Sequence, residues 1–186
     1  MNINIQKFMI TVDRGMLLSQ MIDLGRYNHC DRRHDFTSSN FPIFGTDKLS
    51  LEVELWHFDQ YIYSRVAQQR TRDEGYCSGR IEHLLALGSE HPDLQREFPI
   101  TALGSRCSVI KARAAVLSGG HSSRNLELGW CIDEKSDPTC SAWSLSSTST
   151  SLIGSPMFRY LVYKDLLGNK GQQNRTKATG YHSHHH

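Results

Sequence analysis

Apolar and polar positions change rhythm several times along this chain, and each rhythm predicts an element. Residues 7–13 hold a strand-length apolar run (Phe8, Met9, Ile10, Val12). After Gly15, the residues Met16, Leu17, Leu18, Met21, Ile22 and Leu24 fall at helical spacing until Gly25 stops them. From 27 to 48 the chain turns to His, Asp, Arg, Ser, Asn and Pro, which predicts a long loop, either functional or pinned by its side chains. Residues 49–58 alternate, with Leu51, Val53 and Leu55 set against Glu52, Glu54 and Trp56, the period of a half-buried strand. Helices are expected over 59–74, closed by Gly75, and over 80–88, where Ile81, Leu84, Leu85 and Leu87 share a face. A short helical turn at 93–96 lies between Pro92 and Pro99, and the chain then extends through 98–103.

Beyond Gly104 the rhythm shortens, with strands expected at 108–117, 125–132, 142–147 and 158–164. In the second of these Leu126, Leu128 and Trp130 fall on one face and Asn125, Glu127 and Cys131 on the other. Gly119 and Gly120, followed by His121 and Ser122, read as a hairpin turn. Together the elements predict an α+β fold in one domain over 1–167, a helix-rich N-terminal half packed on an antiparallel sheet-rich C-terminal half. Residues 168–186 read as a disordered tail ending in a tag remnant, since four of the ten histidines occupy the last five positions.

Composition narrows the function classes. The chain has 186 residues, is 38% apolar and 22% charged, and carries a net charge of +2, which places it among globular proteins. Its Lys and Arg residues form no concentrated stripe of the kind that neutralises nucleic-acid phosphates, so no nucleic-acid partner is expected. No apolar run reaches membrane-spanning length, and residues 1–10 lack the order of a secretory signal. A soluble chain, cytoplasmic or virion-associated, is the expectation. The five cysteines (Cys30, Cys77, Cys107, Cys131, Cys140) show no Cys-x-x-Cys spacing and suit a reducing compartment. Cys131 and Cys140 are the one local pair that a bridge could join.

Catalytic chemistry finds little to work with. The densest group of metal-ligand types is His29, Cys30, Asp31, His34 and Asp35 in the long loop, where the two histidines could share a metal but no second ligand pair follows. A metal-assisted hydrolase built on His29, His34 and Asp31 or Asp35 is therefore the alternative reading, with a viral structural or assembly protein as another. No nucleophile elbow, dinucleotide fingerprint or phosphate loop occurs, and Asp133, Glu134 and Asp137 form no calcium pattern. We assign no catalytic residue, metal or cofactor.

The distinctive stretch is 118–157. Short polar residues are interleaved there with Trp130 and Trp143, and from 144 to 151 every residue except Leu145 is Ser or Thr. Such a run has little to bury and many hydroxyls to offer, the chemistry of adaptable binding surfaces. Residues 75–105, including Gly75, Tyr76, Leu84, Leu85, Pro92, Asp93, Phe98 and Pro99, look like a group of uncharacterised microbial proteins. The C-terminal third, ending in Phe158, Arg159, Tyr160, Leu161, Val162 and Tyr163, resembles the variable proteins of diversity-generating retroelements, although the Gly-Gly-Ser-Trp signature of some members is absent. The resemblance implies a C-type-lectin-like fold and a display protein whose selected positions are rewritten to recognise varied protein or glycan ligands, including ligands on a cell surface. Template-directed rewriting in that family cannot produce Lys, Glu, Gln, Met or Trp. The resemblance thus assigns Glu127, Trp130, Glu134, Lys135, Trp143 and Met157 to the scaffold. It assigns ligand binding to His121, Ser122, Ser123, Arg124, Asn125, Ser136, Asp137, Thr139, Ser141, Ser144, Ser146, Ser147, Ser149 and Ser151.

Overall fold

The computed structural model describes residues 3–30, 33–107, 113–131 and 152–165. Nine strands among them form one sheet: β1 (Ile3–Asp13), β2 (His29–Cys30), β3 (Lys48–Phe58), β4 (Cys77–Ser78), β5 (Ile100–Arg106), β6 (Arg113–Gly120), β7 (Ser123–Cys131), β8 (Leu152–Ile153) and β9 (Arg159–Tyr163). Four helices accompany them: α1 (Leu18–Leu24), α2 (Ser64–Asp73), α3 (Ile81–Glu90) and α4 (Leu94–Glu97). The sheet runs β1-β3-β9-β5-β6-β7-β2, with β4 added beside β9 and β8 beside β7.

This topology corrects the expected fold class. The N-terminal half is not a helical layer, because its two longest elements, β1 and β3, are eleven-residue strands paired along their whole length from Ile3↔Phe58 to Asp13↔Lys48. Nor do the halves stack on each other as in the C-type-lectin-like expectation. The last strand, β9, enters the middle of the sheet, antiparallel to β3 and parallel to β5, and joins both halves into one layer. The sheet is mixed rather than antiparallel, since β7 also runs parallel to β2 and to β8.

Both faces of the sheet are covered, by separate cores. On one face α1 and α3 pack over Val53 and Leu55 of β3, Leu117 of β6, Leu126 and Leu128 of β7 and Leu161 of β9. On the other, Ile62, Ala67 of α2, Ile153 and Phe158 close over Trp56, Phe58, Val116, Tyr160 and Val162. Alternation along β3 therefore separates two buried faces: Glu54 and Trp56, expected on a polar side, are 3% and 2% exposed. On β7, Leu126 and Leu128 are buried as expected. Trp130 is half-buried beneath the Arg113 guanidinium, 4.1 Å from its ring centre.

Local chemistry explains the boundaries. Gly75, at φ +78°, takes the left-handed position just past α2 that glycine occupies without strain. A side-chain carbon on Gly104 would lie 2.3 Å from the Ser78 carbonyl oxygen. Its absence lets β4 wedge between β5 and β9, with Gly104 N–H donating to Gly79 O at 2.8 Å. The long loop at 27–48 is pinned: Phe36 and Phe41 stack with centroids 5.5 Å apart and are buried in the first core. The hairpin at Gly119 and Gly120 forms as expected, with Gly120 opposite Ser123. The strand expected at 142–147 lies outside the described residues, as do 108–112 and the tail from 168.

Candidate functional site

The stretch expected to bind is described only in part. His121 and Ser122 are exposed at the hairpin tip, and Ser123 and Asn125 are half-buried at the start of β7. Along β7 the tip lies about 26 Å from Cys131 at about 3.3 Å per residue. The structure thus separates the tip from the point where the Ser/Thr-rich segment departs. Ser136, Asp137, Thr139, Ser141, Ser144, Ser146, Ser147, Ser149 and Ser151 lie outside the described residues, as do Cys140 and Trp143.

Arg124 is not a surface group. It is 8% exposed, and its guanidinium donates to the carbonyls of Gly25, at 2.7 Å, and Gly88, with Gln95 Oε1 at 3.4 Å. Those carbonyls belong to the C-terminal ends of α1 and α3, so one cation neutralises the negative ends of two helices. Gln95 completes the lattice, its amide donating to Ser118 O at 2.6 Å and Asn125 O at 3.0 Å. A hairpin position read as a display residue is therefore a structural clamp. Its alternation with Leu126 and Leu128 on the core face was the available sequence signal.

At the far end of β7 the chain leaves at Cys131 and returns at β8. There Trp130 pairs with Leu152 and Cys131 with Ile153. Cys131 is 5% exposed and Ile153 fully buried, so the segment between them starts and finishes side by side in the second core. The return is clamped again by Ile62 N–H donating to Gly154 O at 2.9 Å, and by His57 Nε2, which donates to Pro156 O at 2.7 Å. On these two clamped segments three large side chains remain exposed: Tyr61 (74%), Tyr63 (43%) and Met157 (67%). Met157 was expected in the scaffold. Neither tyrosine is a binding candidate in the sequence, because 59–74 reads as helix, whereas α2 begins only at Ser64.

Two buried polar clusters support this frame. Glu54 accepts from Trp56 Nε1 at 2.8 Å and Tyr76 OH at 2.9 Å, with Lys7 Nζ 3.2 Å away. Burial alone would raise its pKa, but the three donors outweigh that and hold the carboxyl below its ordinary value. On the other face Glu82, its side chain 1% exposed, takes Arg80 Nε at 3.1 Å, with Arg14 Nε 3.9 Å away. Beside it His83 accepts from the Arg80 N–H at 3.0 Å and stacks on Tyr163 with centroids 4.5 Å apart. A small, mostly apolar cleft lined by Met16, Met21, Leu24 and Leu85 opens beside Glu82.

Burial, aided by the charges of Arg14 and Arg80, pushes the His83 pKa down to about 3. The unfolded chain, with a His pKa of about 6.5, then binds the proton first. The contribution of His83 should be level above about pH 7 and should lower stability below about pH 6.5, by up to about 1.4 kcal/mol per pH unit, as acid approaches the folded value. Urea unfolding across this range checks it. His83→Gln should flatten the limb; an unchanged slope would assign it to other groups.

Of the residues of the hydrolase alternative, His29, His34 and Asp35 are described and form no group of three metal ligands. His29 is exposed on β2, and His34 is exposed with Nε2 3.6 Å from Asp35 Oδ1; Asp31 lies outside the described residues. Among the described residues no three His, Cys, Asp or Glu side chains stand together as metal ligands, and no helix is long and apolar enough to cross a membrane. Comparison with protein-family models, with curated proteins and with solved structures gives no match to this chain.

Proposed function

We propose that this chain is a binding protein that presents the Ser/Thr-rich segment 132–151 to a protein or glycan partner. One observation carries the reading: the segment departs and returns at adjacent residues, Cys131 and Ile153, both buried in one core and paired in one sheet. Fixing both ends removes part of the ordering cost that a polar recognition segment otherwise meets on binding. Tyr61, Tyr63 and Met157 flank the root and add fixed contact area, Tyr being a low-entropy anchor at such surfaces. Diversification of the kind known in retroelement variable proteins would fall in 132–151, with Arg124 constant because of its clamp.

The test exchanges 132–151 for a Gly/Ser segment of equal length. The expected result is a melting temperature within about 4 °C of the parent, with binding to arrayed glycans and displayed surface proteins reduced at least tenfold. Global unfolding of the exchanged chain, or binding that survives the exchange, rejects the proposal.

A further inference from the structure

The two edges of the sheet differ sharply. One ends in the two-residue β2, while the other is the full eleven-residue β1. Long open edges invite pairing with another strand, and proteins usually block them, often with lysine. Here the blocking is partial. Toward the C-terminal end, side chains at the end of α3 cap the edge: Thr11 N–H donates to Glu90 Oε1 at 2.8 Å, and Met9 O accepts from His91 Nε2 at 3.1 Å. In an antiparallel strand alternate residues turn both backbone groups to the same side. Those of Ile3, Ile5 and Lys7 therefore share this outer edge, and no side-chain cap reaches them among the described residues.

Lys7 is the residue placed to guard that stretch, and its charge is turned away. Its ammonium lies 2.9 Å from Glu52 and 3.2 Å from Glu54, both on β3 of its own sheet. Next to it Ile5 is 44% exposed and Met9 57%.

We infer that β1 pairs with β1 of a second copy of this chain, antiparallel about a two-fold axis at Ile5, continuing one sheet through both copies. The register follows from what is open. Centring on Ile5 pairs Ile3 with Lys7 of the second copy and Ile5 with its own equivalent. This uses the three uncapped residues and no others, with about six backbone hydrogen bonds. Centring on Lys7 would need the capped Met9 and Thr11 and would set two lysines about 5 Å apart. In the Ile5 register the two Lys7 Cα atoms are separated by about 14 Å along the strands. The two Ile5 side chains meet across the axis, and Ile3 lies against the Lys7 methylenes. Pairing would bring together two copies of the segment proposed above to bind, which raises avidity for a repeated ligand.

Light scattering after size exclusion, over micromolar to several-hundred-micromolar protein, reads the association directly. The parent chain should shift from monomer to dimer with rising concentration. Ile5→Pro removes the central N–H at an edge position where proline is tolerated, and Ile5→Lys places like charges across the axis without altering the backbone. Each should weaken dimerisation at least tenfold, with the parent circular dichroism retained. Hydrogen exchange should show concentration-dependent protection at Ile3, Ile5 and Lys7. A monomer at every concentration overturns the inference, as does a dimer that Ile5→Lys leaves intact.

Discussion

Replacing Arg124 with methionine should destabilise the protein by about 3–5 kcal/mol, measured by urea unfolding at neutral pH. The expected size follows from what is left behind. Methionine fills most of the volume but donates nothing, so the Gly25 and Gly88 carbonyls lose their charged donor inside the protein. A lost hydrogen bond to a charged group costs about 1.5–3 kcal/mol, and the ends of α1 and α3 also lose the cation opposing their dipoles. Arg124→Lys should recover less than half, because a single ammonium cannot span two carbonyls as the planar guanidinium does. A loss below about 1 kcal/mol for the methionine variant would show that solvent or a neighbour takes over both carbonyls, and the clamp would then be incidental.

Trp56→Ala is expected to cost about 3–5 kcal/mol as well, from a different mechanism. The indole is 2% exposed and packs edge-on against Tyr76 with ring centroids 5.1 Å apart. Its removal leaves a void between the sheet and the layer that covers it. It also strips from Glu54 one of the donors that hold it ionised. Trp56→Phe separates the two contributions: it retains much of the volume and loses the N–H, so about 1–3 kcal/mol should remain. Because Glu54 would then titrate at a higher pH in the folded protein, stability of the phenylalanine variant should be lost earlier as acid is added. Parallel acid titrations of the two proteins, followed by tryptophan-independent far-ultraviolet circular dichroism, test that order. Coincident acid transitions would place Glu54 outside the acid response.

The two substitutions mark where the sequence was readable. Local periodicity located β3, β9 and α3 to within a few residues, because Leu51, Val53 and Leu55, or Ile81, Leu84 and Leu85, declare a period within their own neighbourhood. It could not tell that the opposite face of β3 is buried too, since the cover, Ile153, Phe158 and α2, comes from distant sequence. The two-residue strands β2, β4 and β8 have no period at all and exist only through their partners. Fold class failed for the same reason: nothing within β9 announces that it inserts between β3 and β5. At the candidate site, composition picked out the Ser/Thr-rich segment, but the resemblance also drew in Arg124, whose guanidinium is held by two helix ends far away in the chain.

The return of the chain at β8 has a consequence for how the segment can evolve. Because β8 runs parallel to β7, the connection has to travel back before it re-enters, and a parallel crossover needs about a dozen residues at least. Deletions that approach this floor would unzip Leu152 from Trp130 and open the second core. Above the floor, doubling a flexible connection would add only about 0.6 kcal/mol of closure entropy. Insertions and foreign peptides of very different sizes should therefore be accepted at this position, which makes it the natural grafting point of the molecule.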